Sequence, residues 1–176
     1  MKNDTMDNQQ LSSFFDKGWL AGIIDGEGCL QLAKQKYKNR LHYRPQISIS
    51  NCNPLVIEKI REICIRNGLP FYAITRLPKG KMKLTNYVVQ IFGLRRCLKW
   101  IEFLDGNLVG KQKQLEIMKR FVAYRLSIEP SYKKGFRSFG QEDEDFKSEM
   151  NRANALYRTE RLNDYTLDKS KNDLMV

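Results

Sequence analysis

An α+β fold, with four antiparallel strands covered on one face by helices and a helical extension at the C-terminal end, is what this sequence predicts. Three observations lead there. Stretches with apolar residues at three- and four-residue spacing frame two pairs of alternating stretches. Each alternating pair is joined by a short polar turn, as in a hairpin. The order of periods is helix, strand, strand, helix, strand, strand, helix, helix, which suits one mixed domain around a single antiparallel sheet.

The first helix rests on Leu11, Phe14, Phe15, Trp19, Leu20, Ile23 and Ile24, with Ser12 as N-cap and Gly26-Glu27-Gly28 as its stop. Alternation from Leu30 to Tyr37 and again from Tyr43 to Asn51, across Lys38-Asn39-Arg40, gives the first hairpin. Pro54 opens a second helix through Leu55, Ile57, Ile60, Ile63 and Cys64, closed by Asn67-Gly68. Phe71 to Leu77 and Leu84 to Phe92 form the second hairpin around Pro78-Lys79-Gly80-Lys81. Helices over Leu94 to Leu104 and Gly110 to Leu126 follow, separated by Asp105-Gly106-Asn107. Beyond Pro130 a basic, aromatic stretch from Tyr132 to Gly140 leads through an acidic run into a helix over Phe146 to Tyr157, with frayed residues from about Asp164. The domain plan is a flexible segment over 1–10, a core over 11–130 and an extension of the same domain over 131–176.

The 176 residues, 41% of them apolar, suffice for one core. Lys and Arg number 31 against 20 acids, a net charge of +11, which favours a polyanionic partner; nucleic acid is the commonest. Cys29, Cys52, Cys64 and Cys97 are scattered without a zinc spacing and read as reduced, mostly buried thiols. Met1 to Gln10 lacks the apolar core of a signal peptide, and no run reaches the ~18 apolar residues of a membrane helix. The expectation is an intracellular protein, in the cytoplasm of a prokaryote or in an organelle containing DNA, with no membrane partner.

Gly18, Gly22 and Gly26 recur every fourth residue of the first helix, and the periodicity sets Ala21 beside them. Glycine inside a helix costs about 1 kcal/mol relative to alanine, so a repeated penalty asks for a backbone pressed close. If the partner is the same helix of a second copy, a two-fold axis runs between them and brings two Glu27 carboxylates together. A divalent cation with a taste for oxygen ligands would relieve their repulsion. On spacing alone, a helix end carrying a solvated acid explains the same residues at least as well.

Leu20-Ala21-Gly22-Ile23-Ile24-Asp25-Gly26-Glu27-Gly28 closely resembles the nine-residue signature of the LAGLIDADG homing endonucleases, preceded by Trp19 and followed by a strand. It occurs once, as in the single-motif homodimeric members. The resemblance implies an αββαββα core with a four-stranded saddle laid in the DNA major groove, an interface over Gly18, Ala21, Gly22, Asp25 and Gly26, and cleavage of both strands leaving short 3′ overhangs. It also implies Glu27 as metal-binding acid, where Asp is commoner, and a Gly26 carbonyl on the metal. Mg²⁺ is the expected cofactor, with Mn²⁺ able to substitute and Ca²⁺ binding without supporting cleavage. Asn51, ending Ile47-Ser48-Ile49-Ser50-Asn51, matches an amide that orders active-site water. Lys111 in Gly110-Lys111-Gln112-Lys113-Gln114 matches a lysine that approaches the scissile phosphate, with Lys113 second. A lysine in a helix's first turn opposes the helix dipole, and so asks for a reason.

Strand alternation points Leu30, Leu32, Ile47 and Ile49 inward. It offers Gln31, Ala33, Gln35, Tyr37, Arg44, Gln46, Ser48, Tyr72, Arg76, Asn86 and Gln90 outward, several of them types that read base edges. Lys34, Lys36, Lys38, Arg40, Lys79, Lys81 and Lys83 cluster in or beside the turns, placed to grip phosphates. A homodimer would prefer a partly palindromic double-stranded site. Competing expectations are an intron RNA maturase, a DNA-binding regulator without chemistry, and a ribosome-associated basic protein that would leave the glycine row unexplained.

Overall fold

The computed structural model describes residues 8–37, 40–80, 83–128 and 140–172, with side chains placed except at 8–11, Tyr37, Arg40 and 160–172. The elements are α1 (Asn8–Glu27), β1 (Gly28–Tyr37), β2 (Arg40–Asn51), α2 (Pro54–Arg66), β3 (Tyr72–Arg76), β4 (Asn86–Phe92), α3 (Leu94–Leu104), α4 (Gln112–Ile128) and α5 (Gln141–Asn172). The order expected from periodicity holds, as does the four-stranded antiparallel sheet, in spatial order β1-β2-β4-β3.

Helices α1 and α5 differ from expectation; α1 begins at Asn8, so that Ser12, the expected N-cap, lies inside it. Helix α1 runs on through the glycines to Glu27, where the first strand begins without a loop. Helix α5 is 32 residues long, because the acidic run at Glu142, Asp143 and Glu144 is its first turn and complements the helix dipole there; its backbone continues to Asn172 instead of ending near Asp164. Of the expected basic stretch, all but Gly140 lies outside the described residues, including Lys133, Lys134 and Arg137.

One sheet face carries Leu30, Leu32, Ile47, Ile49, Val89 and Ile91, all buried beneath the helices. Trp100 of α3 is fully buried, with its indole N–H donated to the Pro70 carbonyl at 2.9 Å, so its polar atom is satisfied. The cysteines split evenly, which corrects the expectation of mostly buried thiols. Cys29 and Cys52 are exposed, whereas burial pushes the Cys64 and Cys97 thiols up to about 12. Among the described residues no helix is long and apolar enough to cross a membrane.

Helix α1 is anchored to α2 by a buried acid. Asp16 accepts from Arg66 Nε at 2.9 Å and Nη2 at 2.6 Å, and from the Asn67 amide at 2.7 Å. Burial raises its carboxyl pKa, but the bonds from Arg66 and Asn67 outweigh that and hold it below the ordinary 3.8. A depressed carboxylate contributes stability that is present above the unfolded value and lost as pH falls through the folded one. Asp16→Ala should therefore cost about 1–3 kcal/mol in urea unfolding at neutral pH, and the difference from wild type should shrink in acid below 3.8. An unchanged midpoint at neutral pH would show the contact to be incidental.

Candidate active site and nucleic-acid interface

Helix α1 ends where three elements meet. The register Gly28↔Ile49 sets the start of β1 against the end of β2, so Glu27 and Asn51 share one end of the sheet. The loop before α4 closes that end. Asp25 accepts from the backbone N–H of Val109 at 2.8 Å and of Lys111 at 2.9 Å. The Lys111 ammonium donates to the carbonyls of Ile24 at 2.7 Å and Asp25 at 2.6 Å. From α5, the Tyr157 hydroxyl also donates to the Asp25 carbonyl, at 2.5 Å, and the ring lies 4.7 Å from the ammonium. Asn154 of the same helix donates to the Leu30 carbonyl at 3.1 Å.

These contacts revise three assignments. Lys111 is buried, 5% exposed, and serves as a cap for the C-terminus of α1. This explains a cation at the start of α4: it answers the negative end of a different helix. Asp25, expected at an interface, has its carboxylate committed to the loop before α4. Ala21, also expected there, is 2% exposed and sits in the core with Leu20 and Ile24, because the helical rotation of about 100° from Gly22 turns it inward.

The glycine row behaves differently. Gly18, Gly22 and Gly26 are exposed, and a Cβ added to any of them would meet nothing within 4 Å. Phe14, one step earlier in the same i,i+4 row, is 70% exposed. Among the described residues no backbone of the same chain is pressed on this face. Gly28 is the contrast, since a Cβ there would lie 2.6 Å from the Ile24 carbonyl oxygen. Gly28→Ala should cost about 1–3 kcal/mol through overpacking, while Gly26→Ala should leave the single chain's thermal stability level or slightly higher. Equal melting temperatures for both variants would refute the steric account.

Glu27 is exposed at the tip of α1, whose last turn contains no basic residue. With Lys111 answering the carbonyls of Ile24 and Asp25, the Glu27 carboxylate just beyond them supplies the negative charge at the tip. Asn51 has its side-chain oxygen occupied by the Asn53 N–H at 2.8 Å, a local turn that starts α2. Among the described residues no three His, Cys, Asp or Glu side chains of one chain converge on a common point. The donors present are hard oxygens, the Glu27 carboxylate and the helix-end carbonyls, which suit Mg²⁺ or Ca²⁺ in kind. One carboxylate per chain suits a cation shared between two copies.

The sheet face away from the helices carries the expected reading residues in register: Gln31 faces Gln46, Ala33 faces Arg44, Gln90 lies between Ser48 and Tyr72, and Arg76 faces Asn86. Tyr37 and Arg40 pair at its far end by backbone register. Lys34 and Lys36, expected as phosphate grips beside the turn, share the parity of Leu30 and Leu32, and Lys34 lies 3.9 Å from Glu144 of α5. Lys79, Lys83 and Lys113 are exposed; Lys38 and Lys81 lie outside the described residues. Alternation alone missed the apolar content of this face: Val88 is 2% exposed on it, and Tyr72 stacks on Phe92 at 4.6 Å. It also missed Arg95 and Arg96, which reach this end of the sheet from α3.

No protein-family model and no curated protein matches the chain by sequence. Solved structures do match. The homing endonuclease I-CvuI, in complex with the I-CreI target and with Mg present and the DNA uncleaved, aligns at a TM-score of 0.54 and 13% identity, over 82% of this chain and 98% of that one. I-GzeII with its DNA target aligns at 0.53 and 19% identity over 67% of this chain, which spans 38% of that protein. I-LtrWI bound to target DNA aligns at 0.50 and 16%, over 87% and 45%. The fold is that of the LAGLIDADG homing endonucleases.

Proposed function

We propose that the chain is a site-specific DNA endonuclease that acts as a homodimer on a long, partly palindromic duplex. The observation that carries this is the row Phe14, Gly18, Gly22 and Gly26, open to solvent and ending at an exposed Glu27. Two such rows laid together about a two-fold axis bring two acids to one place beneath two polar sheet faces. The net charge of +11 supplies attraction for the duplex. The fold is shared with I-CvuI, a protein that this chain covers almost completely.

In this reading Gln31, Gln46, Ser48, Tyr72, Arg76, Asn86 and Gln90 face base edges in the major groove, while Lys79, Lys83 and Lys113 meet phosphates. The Glu27 pair, with the Gly26 carbonyls, would hold the divalent cation. When bound, that cation supplies Lewis-acid stabilisation and a nucleophilic water for phosphodiester hydrolysis. The chain's own part is positional. Lys111 and Tyr157 fix the carbonyl end of α1, Asp25 ties it to the loop before α4, and Glu27 is thereby held at a defined distance from the axis. Burial gives the Lys111 ammonium a local task before DNA arrives, so its effect on the phosphate is electrostatic in origin.

The test is incubation of the protein with a plasmid carrying the uninterrupted host locus, with Mg²⁺, Mn²⁺, Ca²⁺ or no metal. Linear product with short 3′ overhangs is expected with the first two alone. Absence of cutting under all four conditions, with specific binding intact, would favour a regulator on the same fold.

A further inference from the structure

Strand β4 leaves the sheet at Phe92, and Gly93, with φ +93, turns the chain into α3. Its partner β2 extends six residues beyond their paired segment, from Arg40 to Pro45, so one edge of β2 faces a gap instead of a strand. The gap is a cavity of about 570 Å³, lined among others by Gln35, His42, Arg44, Arg95, Arg96 and Arg125. Four arginines from β2, α3 and α4 thus line one space.

We infer that this cavity is a phosphate-binding site, set about 17 Å from the Glu27 end of the sheet at ~3.4 Å per strand residue. Two of the arginines are held in place by rings: Arg44 lies 4.1 Å from the Phe92 centroid and Arg96 5.3 Å from that of Tyr72, and the two rings stack on each other. Among the described residues neither Arg44 nor Arg96 is paired with a carboxylate. The Gln35 amide, turned with its oxygen toward Arg44, accepts from it at 2.7 Å and fixes the fork further. A fixed planar fork is the group that matches phosphate oxygens. Of the described acids, Asp143 lies 3.3 Å from Arg125, and Glu144 accepts from the hydroxyl of Tyr43, another lining residue, at 2.7 Å. Helix α3 adds the positive end of its dipole, and its N-cap Gly93 has no side chain to occupy the first-turn N–H groups. The lowered pKa of His42, caused by burial and then by Arg44 and Arg125, reports the same positive field.

The phosphate has two possible sources, a backbone phosphate of duplex flanking the cleavage point or a free phosphate compound. The first rests on the function proposed above; the site itself does not. His42 is the only histidine in the chain and lines the cavity, so its imidazole resonance is a reporter that needs neither DNA nor cutting. Titrating inorganic pyrophosphate into the full-length protein at low salt should move that resonance saturably and raise the His42 pKa. Arg95→Gln with Arg96→Gln should weaken the response about tenfold or more, whereas Lys99→Gln with Arg158→Gln, removing equal charge elsewhere, should leave it. No saturable response in the wild type, or equal loss in both double variants, overturns the inference. With the response established, duplex binding identifies the source. A drop of about one to two units in the salt slope of the Arg95/Arg96 variant assigns the site to DNA backbone, and an unchanged slope assigns it to a free phosphate compound.

Discussion

Glu27→Gln should reduce two-strand cleavage by about 10³-fold or more, the scale on which a preorganised charge at a reacting centre matters, while leaving duplex affinity within a few-fold of wild type. The amide keeps the shape and removes the charge. Because Glu27 is exposed and the end of α1 is secured by Lys111, Tyr157 and Asp25, the variant should fold normally, with stability changed by no more than about 0.5 kcal/mol. Binding should persist because the acid repels phosphates; its neutralisation removes an obstacle. A plasmid-cutting time course beside a gel shift in Ca²⁺ measures both. Mg²⁺-dependent cutting by the amide variant at wild-type rate would remove Glu27 from the chemistry.

Gly22→Leu should separate assembly from folding. A Cβ at Gly22 meets no atom within 4 Å of the single chain, and leucine is the better helix former by about 0.8 kcal/mol. The isolated chain should accordingly melt at or above the wild-type temperature. On the proposed pairing, the same side chain holds two backbones apart, so the dimer should dissociate and two-strand cutting should fall to background. Sedimentation at micromolar concentration with a parallel circular dichroism melt decides it. A variant that still runs as a dimer, or a wild-type protein that stays monomeric on DNA, would remove the axis on which the shared cation depends.

Much of the architecture could be read from period alone, and the reason is geometric. Strand parity admits two answers, and Leu30, Leu32, Ile47 and Ile49 choose between them, so the whole set from Gln31 to Gln90 falls on the open face once the register is drawn. Helices are harder, since residues one apart differ by 100° and the apolar stripe is broad. Ala21 was set beside the glycines by resemblance and spacing, yet it belongs to the buried stripe with Leu20 and Ile24. The role of Lys111 was hidden for another reason: its partners lie 86 and 87 residues away in the chain. The arginine cavity was equally hidden. It exists because β4 is shorter than β2 and turns at Gly93, a property of pairing that Arg95 and Arg96 do not announce in sequence.

The bond from Tyr157 to the Asp25 carbonyl spans 132 residues. A ribosome makes α1 well before α5, at about 5–20 residues per second. For many seconds the acid-bearing turn is therefore synthesised but unfinished, lacking the hydroxyl that fastens it. Such a nascent chain has its glycine row and its carboxylate but not their final geometry, which comes only with α5. Premature pairing of copies on a shared message would meet a turn that is not yet set, and the nuclease proposed here would gain its working form only once α5 has been made.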